Sequence, residues 1–211
     1  MQNLHGAPKL LIIALVTTVA LTLTAGAYLL FGRGDRLPDL GTMPDFTLID
    51  QNERPVKSAD LKGKVLLVGF IYTNCPDVCP LTTTRMRELQ ERLAKAGMLG
   101  NDTMLLSISV DPDRDTPAVL AKYAANYGAD TATWPFLTGK TDYVRTVVVE
   151  GFHLGAEKTP THDHGGSPTP TYEVAHSDRL VLVDKHGTVR ATFHTDQFDA
   201  TQVLADMRSL R

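Results

Sequence analysis

The longest apolar run lies near the start of the chain. Leu10 to Phe31 reads LLIIALVTTVALTLTAGAYLLF, with no charge and no proline. A run of about 20 such residues suffices to cross a bilayer as a helix. It has no polar face, which argues against a helix lying on a soluble core. Two readings remain. A cleaved signal peptide would end at a small-residue site, and Ala25-Gly26-Ala27 resembles one. An uncleaved anchor would run on through Tyr28-Leu29-Leu30-Phe31, and this apolar continuation favours the anchor. The pattern therefore predicts a short tail over 1–9, a single-pass transmembrane helix over 10–31 and a linker over 32–43 (GRGDRLPDLGTM). Lys9 on one side and Arg33 and Arg36 on the other orient the span only weakly. A short tail, one span and a long globular stretch together predict that the globular part is extracytoplasmic, on the periplasmic side. No cysteine stands near Ala25 to accept a lipid.

Residues 44–211 read as one domain in which strands and helices alternate. Phe46-Thr47-Leu48 and Val56 suggest a small hairpin around Gln51-Asn52. Lys64 to Tyr72 (KVLLVGFIY) is a continuous apolar run, as in a strand buried on both faces. Leu81 to Ala96 reads as a helix with Met86, Leu89 and Leu93 on one stripe. Met104 to Val110 reads as a second buried strand, and Asp115-Thr116-Pro117 starts a helix through Tyr127. A strand over Trp134–Leu137, a helix over Tyr143–Glu150 and a loop over Gly155–Pro170 follow. Strands are expected over Tyr172–His176, Leu180–Asp184 and Val189–Phe193, with a turn at Lys185-His186-Gly187. A helix over Asp199–Leu210 closes the chain. This order predicts an α/β fold, a central mixed sheet covered by helices.

Composition narrows the chemistry. The net charge is −3, with acids and bases intermixed, so no basic cluster offers a footprint for nucleic acid. Cys75 and Cys79 are the only cysteines, and a pair four apart closes too small a loop to staple a scaffold. They lie in Thr73-Asn74-Cys75-Pro76-Asp77-Val78-Cys79-Pro80, between a buried strand and a helix, at the sheet edge where ligands and reactive groups gather. Near a helix N-terminus the backbone amides are expected to favour thiolate, and the i, i+4 spacing can put both sulfurs on one side. Two soft thiolates suit Cu(I), zinc or an iron–sulfur centre, but zinc and clusters normally want four protein ligands. A redox-active dithiol is the rival reading of the pair, since a two-residue spacing is the usual form of such pairs but not the only one.

Copper held by two thiolates can accept one imidazole. His5 precedes the span, His186 occupies a turn, and His194 ends a strand and reads as structural. His153 carries no pattern. His162 and His164 flank Asp163 in a Gly/Pro-rich loop that reads as solvated. His176 ends a strand before the last hairpin; spacing alone leaves it one candidate among these.

The combination resembles the SCO/SenC family of copper-binding proteins. Asp45-Phe46-Thr47-Leu48 resembles the opening of the family domain, and Gly63-Lys64-Val65 with Phe70 through Thr73 its first core strand. Cys75-Pro76-Asp77-Val78-Cys79-Pro80 matches the CPxxCP signature. Ser109 through Pro117 (SVDPDRDTP) resembles the second motif, with Asp113 where Glu is common, and Leu137-Thr138-Gly139 a short segment before a helix. His176-Ser177, with Leu182-Val183-Asp184 and Gly187, resembles the region that carries the family's histidine ligand. The resemblance implies a thioredoxin-like fold and one copper ion, Cu(I) or Cu(II), bound by Cys75, Cys79 and His176. It implies a metallochaperone, not an enzyme, with a copper donor protein and a cytochrome c oxidase subunit as acceptor for partners. Asp111 matches a motif residue and reads either as orienting a neighbour or as a strand-end turn, with Asp115 capping the next helix. The remaining alternatives are a thiol–disulfide oxidoreductase keeping an acceptor's cysteines reduced, a redox or copper sensor, and a thiol peroxidase. No Thr-x-x-Cys motif supports the last: Tyr72 and Pro76 stand three residues before the two cysteines.

Overall fold

The structure is a computed structural model that describes residues 15–22, 24, 37–75, 78–160, 172–176 and 178–211, with backbone alone for 157–160 and 172–176. The chain divides into two units, residues 1–37 and 38–211. In the first, residues 15–22 and 24 are helical, and the rest of the predicted 10–31 span lies outside the described residues. Among the described residues no helix is long and apolar enough to cross a membrane.

In the second unit the described strands form a seven-stranded mixed sheet and a separate two-stranded hairpin. β1 (Thr47–Asp50) and β2 (Pro55–Lys57) make the first hairpin, as the polar turn predicts. β3 (Val65–Ile71) is buried at every position; it pairs in parallel with β4 (Thr103–Ser109) and antiparallel with β8 (Arg179–Val183). A strand with neighbours on both edges and helices or loops over both faces needs no polar side, hence its unbroken apolar run. β5 (Phe136–Thr138) bridges β4 to β1, and β9 (Val189–His194) closes the other edge on β8. Residues read as linker reach this edge too: Leu40 N–H donates to the Val189 carbonyl at 2.9 Å, and Met43 N–H to Gly187 at 2.8 Å.

Four α-helices are described in this unit: α1 (Val78–Lys95), α2 (Pro117–Asn126), α3 (Thr141–Arg145) and α4 (Ala200–Ser209). α1 buries Met86, Leu89 and Leu93, the predicted stripe. It begins at Val78, ahead of the expected Leu81, because Pro80 sits inside its first turn. The N–H groups there have no intrahelical partner, so proline costs nothing. The helix after Lys140 is not one regular piece: α3 is short and passes into a π-helix over Thr146–Gly151. The expected loop over Gly155–Pro170 is overturned in part. β6 (Ala156–Pro160) pairs antiparallel with β7 (Tyr172–His176), a pairing set by a partner too distant in sequence for local patterning to reveal. Asp199 caps α4 by accepting from Thr201 N–H at 2.8 Å. Thr116, and not Asp115, caps α2.

Gly69 sets how closely α1 lies on β3. A Cβ there would stand 2.6 Å from Met86 Sδ, and Met86 is fully buried. The next residue, Phe70, faces the other way onto Phe152, with ring centroids 5.1 Å apart. Gly69→Ala is expected to destabilise the domain by about 1–3 kcal/mol through overpacking. Urea unfolding would read this as a lower midpoint, and an unchanged midpoint would show that α1 can move off the sheet freely.

Candidate metal centre

β3 delivers the chain to the sheet edge, ending on buried Ile71, with buried Tyr72 just beyond it. A turn follows, in which Cys75 N–H donates to the Tyr72 carbonyl at 3.2 Å. Cys75 is half-buried in this turn, and Cys79 is fully buried in the first turn of α1. Neither is in a disulfide. Cys79 N–H donates to Cys75 Sγ at 3.4 Å, so the unsatisfied amide end of α1 points at the first sulfur. Cys75 thus precedes α1 instead of sharing its first turn, and its sulfur meets the Cys79 amide. Pro76 and Asp77 between them lie outside the described residues.

Burial pushes the Cys79 thiol well above the usual thiol range; a Tyr72 backbone hydrogen bond opposes this, and Cys75 and Asp115 add to it. The sequence expectation of a thiolate at the helix start thus fails for Cys79. Loss of solvation outweighs what the helix amides supply. Its surroundings are otherwise tied. Thr83 Oγ1 donates to the Cys79 carbonyl at 2.8 Å and shares a 2.8 Å hydrogen bond with Tyr123 Oη. Burial raises the Tyr123 phenol as well.

His176 ends β7, where its backbone pairs with Ala156. Its side chain lies outside the described residues, as do His162 and His164. His186 is exposed in the turn before β9, and His153 is exposed with a positive φ of 56°. His194, expected to be structural, has its Nδ1 2.9 Å from Asp178 Oδ1. With Asp196 these two form a group whose ligand atoms all lie within 4.8 Å of one another. Asp111, the motif acid, makes the turn after β4: its carbonyl accepts from Arg114 N–H at 3.1 Å and Asp115 N–H at 2.9 Å. Sequence reasoning missed Asp115, which turns inward to Thr73 and Ser109 instead of capping α2. A buried acid looks like any helix-start acid until its non-local partners are known.

Comparison with known proteins bears on this edge directly. The SCO1/SenC family profile matches residues 35–211. The chain belongs to the SCO1/SenC family. It is 32% identical over 193 residues to the SCO1 protein homolog of Bacillus subtilis, covering 89% of this chain and 94% of that one. Two solved relatives share its thioredoxin-like α/β fold. ScoI of Bradyrhizobium japonicum, solved with copper bound, superposes with a TM-score of 0.68 at 29% identity, over 81% of this chain and all of that one. BsSco, described as a member of the Sco family of cytochrome c oxidase assembly proteins with a disulfide switch, gives a TM-score of 0.65 at 27% identity, over 82% and 96% of the two chains.

The buried thiol has two measurable consequences. Iodoacetamide at neutral pH should label Cys75 before Cys79, read by mass spectrometry of the peptides; equal rates would contradict the burial of Cys79. The folded state also favours the neutral form of Cys79. That contribution is present below the ordinary thiol range and is lost as pH rises through it, from about pH 8.5 upward. Denaturant titration of the reduced protein should show stability falling there, less so in Cys79→Ala.

Proposed function

We propose that this SCO1/SenC protein is a copper metallochaperone that carries one copper ion on Cys75, Cys79 and His176. The observation that supports this most is the sulfur pair itself. Two reduced cysteines, one just before α1 and one in its first turn, are linked by the Cys79 N–H to Cys75 Sγ contact at the end of a buried strand. The donor set fits the cargo: two soft sulfurs and one imidazole suit Cu(I), and a trigonal sulfur–nitrogen set also holds Cu(II). Copper in B. japonicum ScoI supports the choice of ion, and the description of BsSco supports an acceptor in cytochrome c oxidase assembly.

Cys79 must give up its proton for copper to bind, and His176 must be neutral, so uptake releases protons and weakens as pH falls. Transfer to the acceptor, a subunit of cytochrome c oxidase, proceeds by exchange of sulfur ligands between two docked proteins. Loading from a copper donor protein runs the same exchange in reverse. Residues 10–31 tether the carrier to the membrane, with the domain of residues 44–211 on the periplasmic side and 32–43 as linker.

A second reading is favoured by the same two thiols. As a thiol–disulfide oxidoreductase, Cys75 and Cys79 would reduce an acceptor disulfide and leave oxidised to each other. This chemistry makes no use of His176, and an oxidised pair cannot hold copper through thiolates, so the two roles would alternate on one site. A copper or redox sensor acting through a membrane partner would use the same pair.

Reduced full-length protein is expected to bind one copper per chain, measured by metal analysis after desalting. Cys75→Ala, Cys79→Ala and His176→Ala should each lose it, while His186→Ala and His194→Ala keep it. Full retention in His176→Ala would favour the dithiol reading, and loss in His194→Ala would move the metal to the Asp178–His194–Asp196 group. Absence of turnover in insulin reduction would remove the oxidoreductase as the main activity. Alkaline carbonate extraction of membranes should leave the protein in the pellet; release to the supernatant would rule out the anchor.

A further inference from the structure

Behind the cysteine turn stands an acid that neither copper nor thiol chemistry uses directly. Asp115 is fully buried. Its carboxylate accepts from Thr73 Oγ1 at 2.6 Å, from Ser109 Oγ at 2.6 Å, and from Thr73 N–H, which lies 3.2 Å from both oxygens. Ser109 Oγ in turn accepts from Asp111 N–H at 3.1 Å. One carboxylate thereby joins the end of β4, the Asp111–Asp115 turn and the turn after β3. Burial holds its pKa above the usual carboxylate range, with the Ser109 and Thr73 hydrogen bonds opposing. A turn closed only for stability could be closed by backbone groups or a hydroxyl, without the cost of burying an acid.

Thr73 lies two residues before Cys75, and its main chain and side chain are both held by Asp115. The next fixed point is the Cys75 N–H to Tyr72 bond, and the one after it is Cys75 Sγ against the Cys79 amide. We infer that Asp115 is a positioning residue for Cys75: by gripping Thr73 twice it sets the turn that aims the Cys75 sulfur at the start of α1. The role rests on the copper reading for its purpose and stands on geometry that is independent of any metal. Groups that orient metal ligands from behind typically change affinity by about 10–100-fold when removed.

The test uses the full chain with Asp115→Asn, Thr73→Val and Thr73→Ser. Thr73→Val removes the 2.6 Å bond and keeps the shape, and Thr73→Ser keeps the hydroxyl. Two readouts are taken. The first is metal-free: the equilibrium with glutathione disulfide, in which the Cys75–Cys79 bond forms and two electrons and two protons pass to two glutathiones. The second, after adding Cu(II), is the sulfur-to-copper absorption band, the electron paramagnetic splitting and the affinity by competition. Asp115→Asn and Thr73→Val are expected to shift the equilibrium several-fold, move the band and weaken copper about tenfold, with Thr73→Ser matching the parent. Thermal melting reports folding. If Asp115→Asn does not fold, the Thr73 pair decides. A folded Thr73→Val identical to the parent in both readouts, even with a lower melting temperature, overturns the inference. A parent chain that takes up no copper would sink the copper reading while the thiol equilibrium still decides the role of Asp115.

Discussion

Packing of the first turn of α1 into the end of β3 is the constraint on which the rest of this edge depends. It removes Cys79 from water while leaving Cys75 half-exposed beside it. A thiolate in such a place lacks the solvation that would make it cheap, and one helix end supplies too little to replace it. A cation does supply it: a coordinated sulfur is deprotonated outright. For the carrier proposed above, three arrangements would satisfy the sulfurs: neutral thiols, a sulfur-bound ion and a disulfide. Such alternatives are what the proposed role requires, since the ion must be both taken up and given away.

The polar groups around the pair are arranged to hold this packing. Thr83 and Tyr123 secure the Cys79 carbonyl side, and Thr82 Oγ1 shares a 2.9 Å hydrogen bond with buried Thr195, tying α1 to the end of β9. On the other side the Asp115 carboxylate collects Thr73 and Ser109. Each cysteine is thus held through its neighbours in the chain. The backbone on either side of the two sulfurs is thereby fixed by hydroxyl and carboxylate groups.

Local pattern was enough for much of the fold. The apolar run of β3, the Met86–Leu89–Leu93 stripe and the polar hairpin turns all appear where period and turn chemistry put them. The misses share a cause. β6 has no apolar alternation of its own and exists because β7 pairs with it, and the short α3 runs into a π-helix that no period announces. The helix expected from Leu81 begins three residues earlier, since a first turn whose N–H groups lack intrahelical partners accepts Pro80.

The sequence by itself determined the cysteine spacing, the buried strand before it, the helix after it and the motif set that marks the family. All are local or linear properties of the chain. Tertiary structure alone decided that Cys79 is buried, which pushes its thiol pKa upward, and that Asp115 faces Thr73 across 42 residues of chain. Burial and long-range hydrogen bonding depend on which surfaces meet, and that is settled only when β3, β4 and α1 pack together.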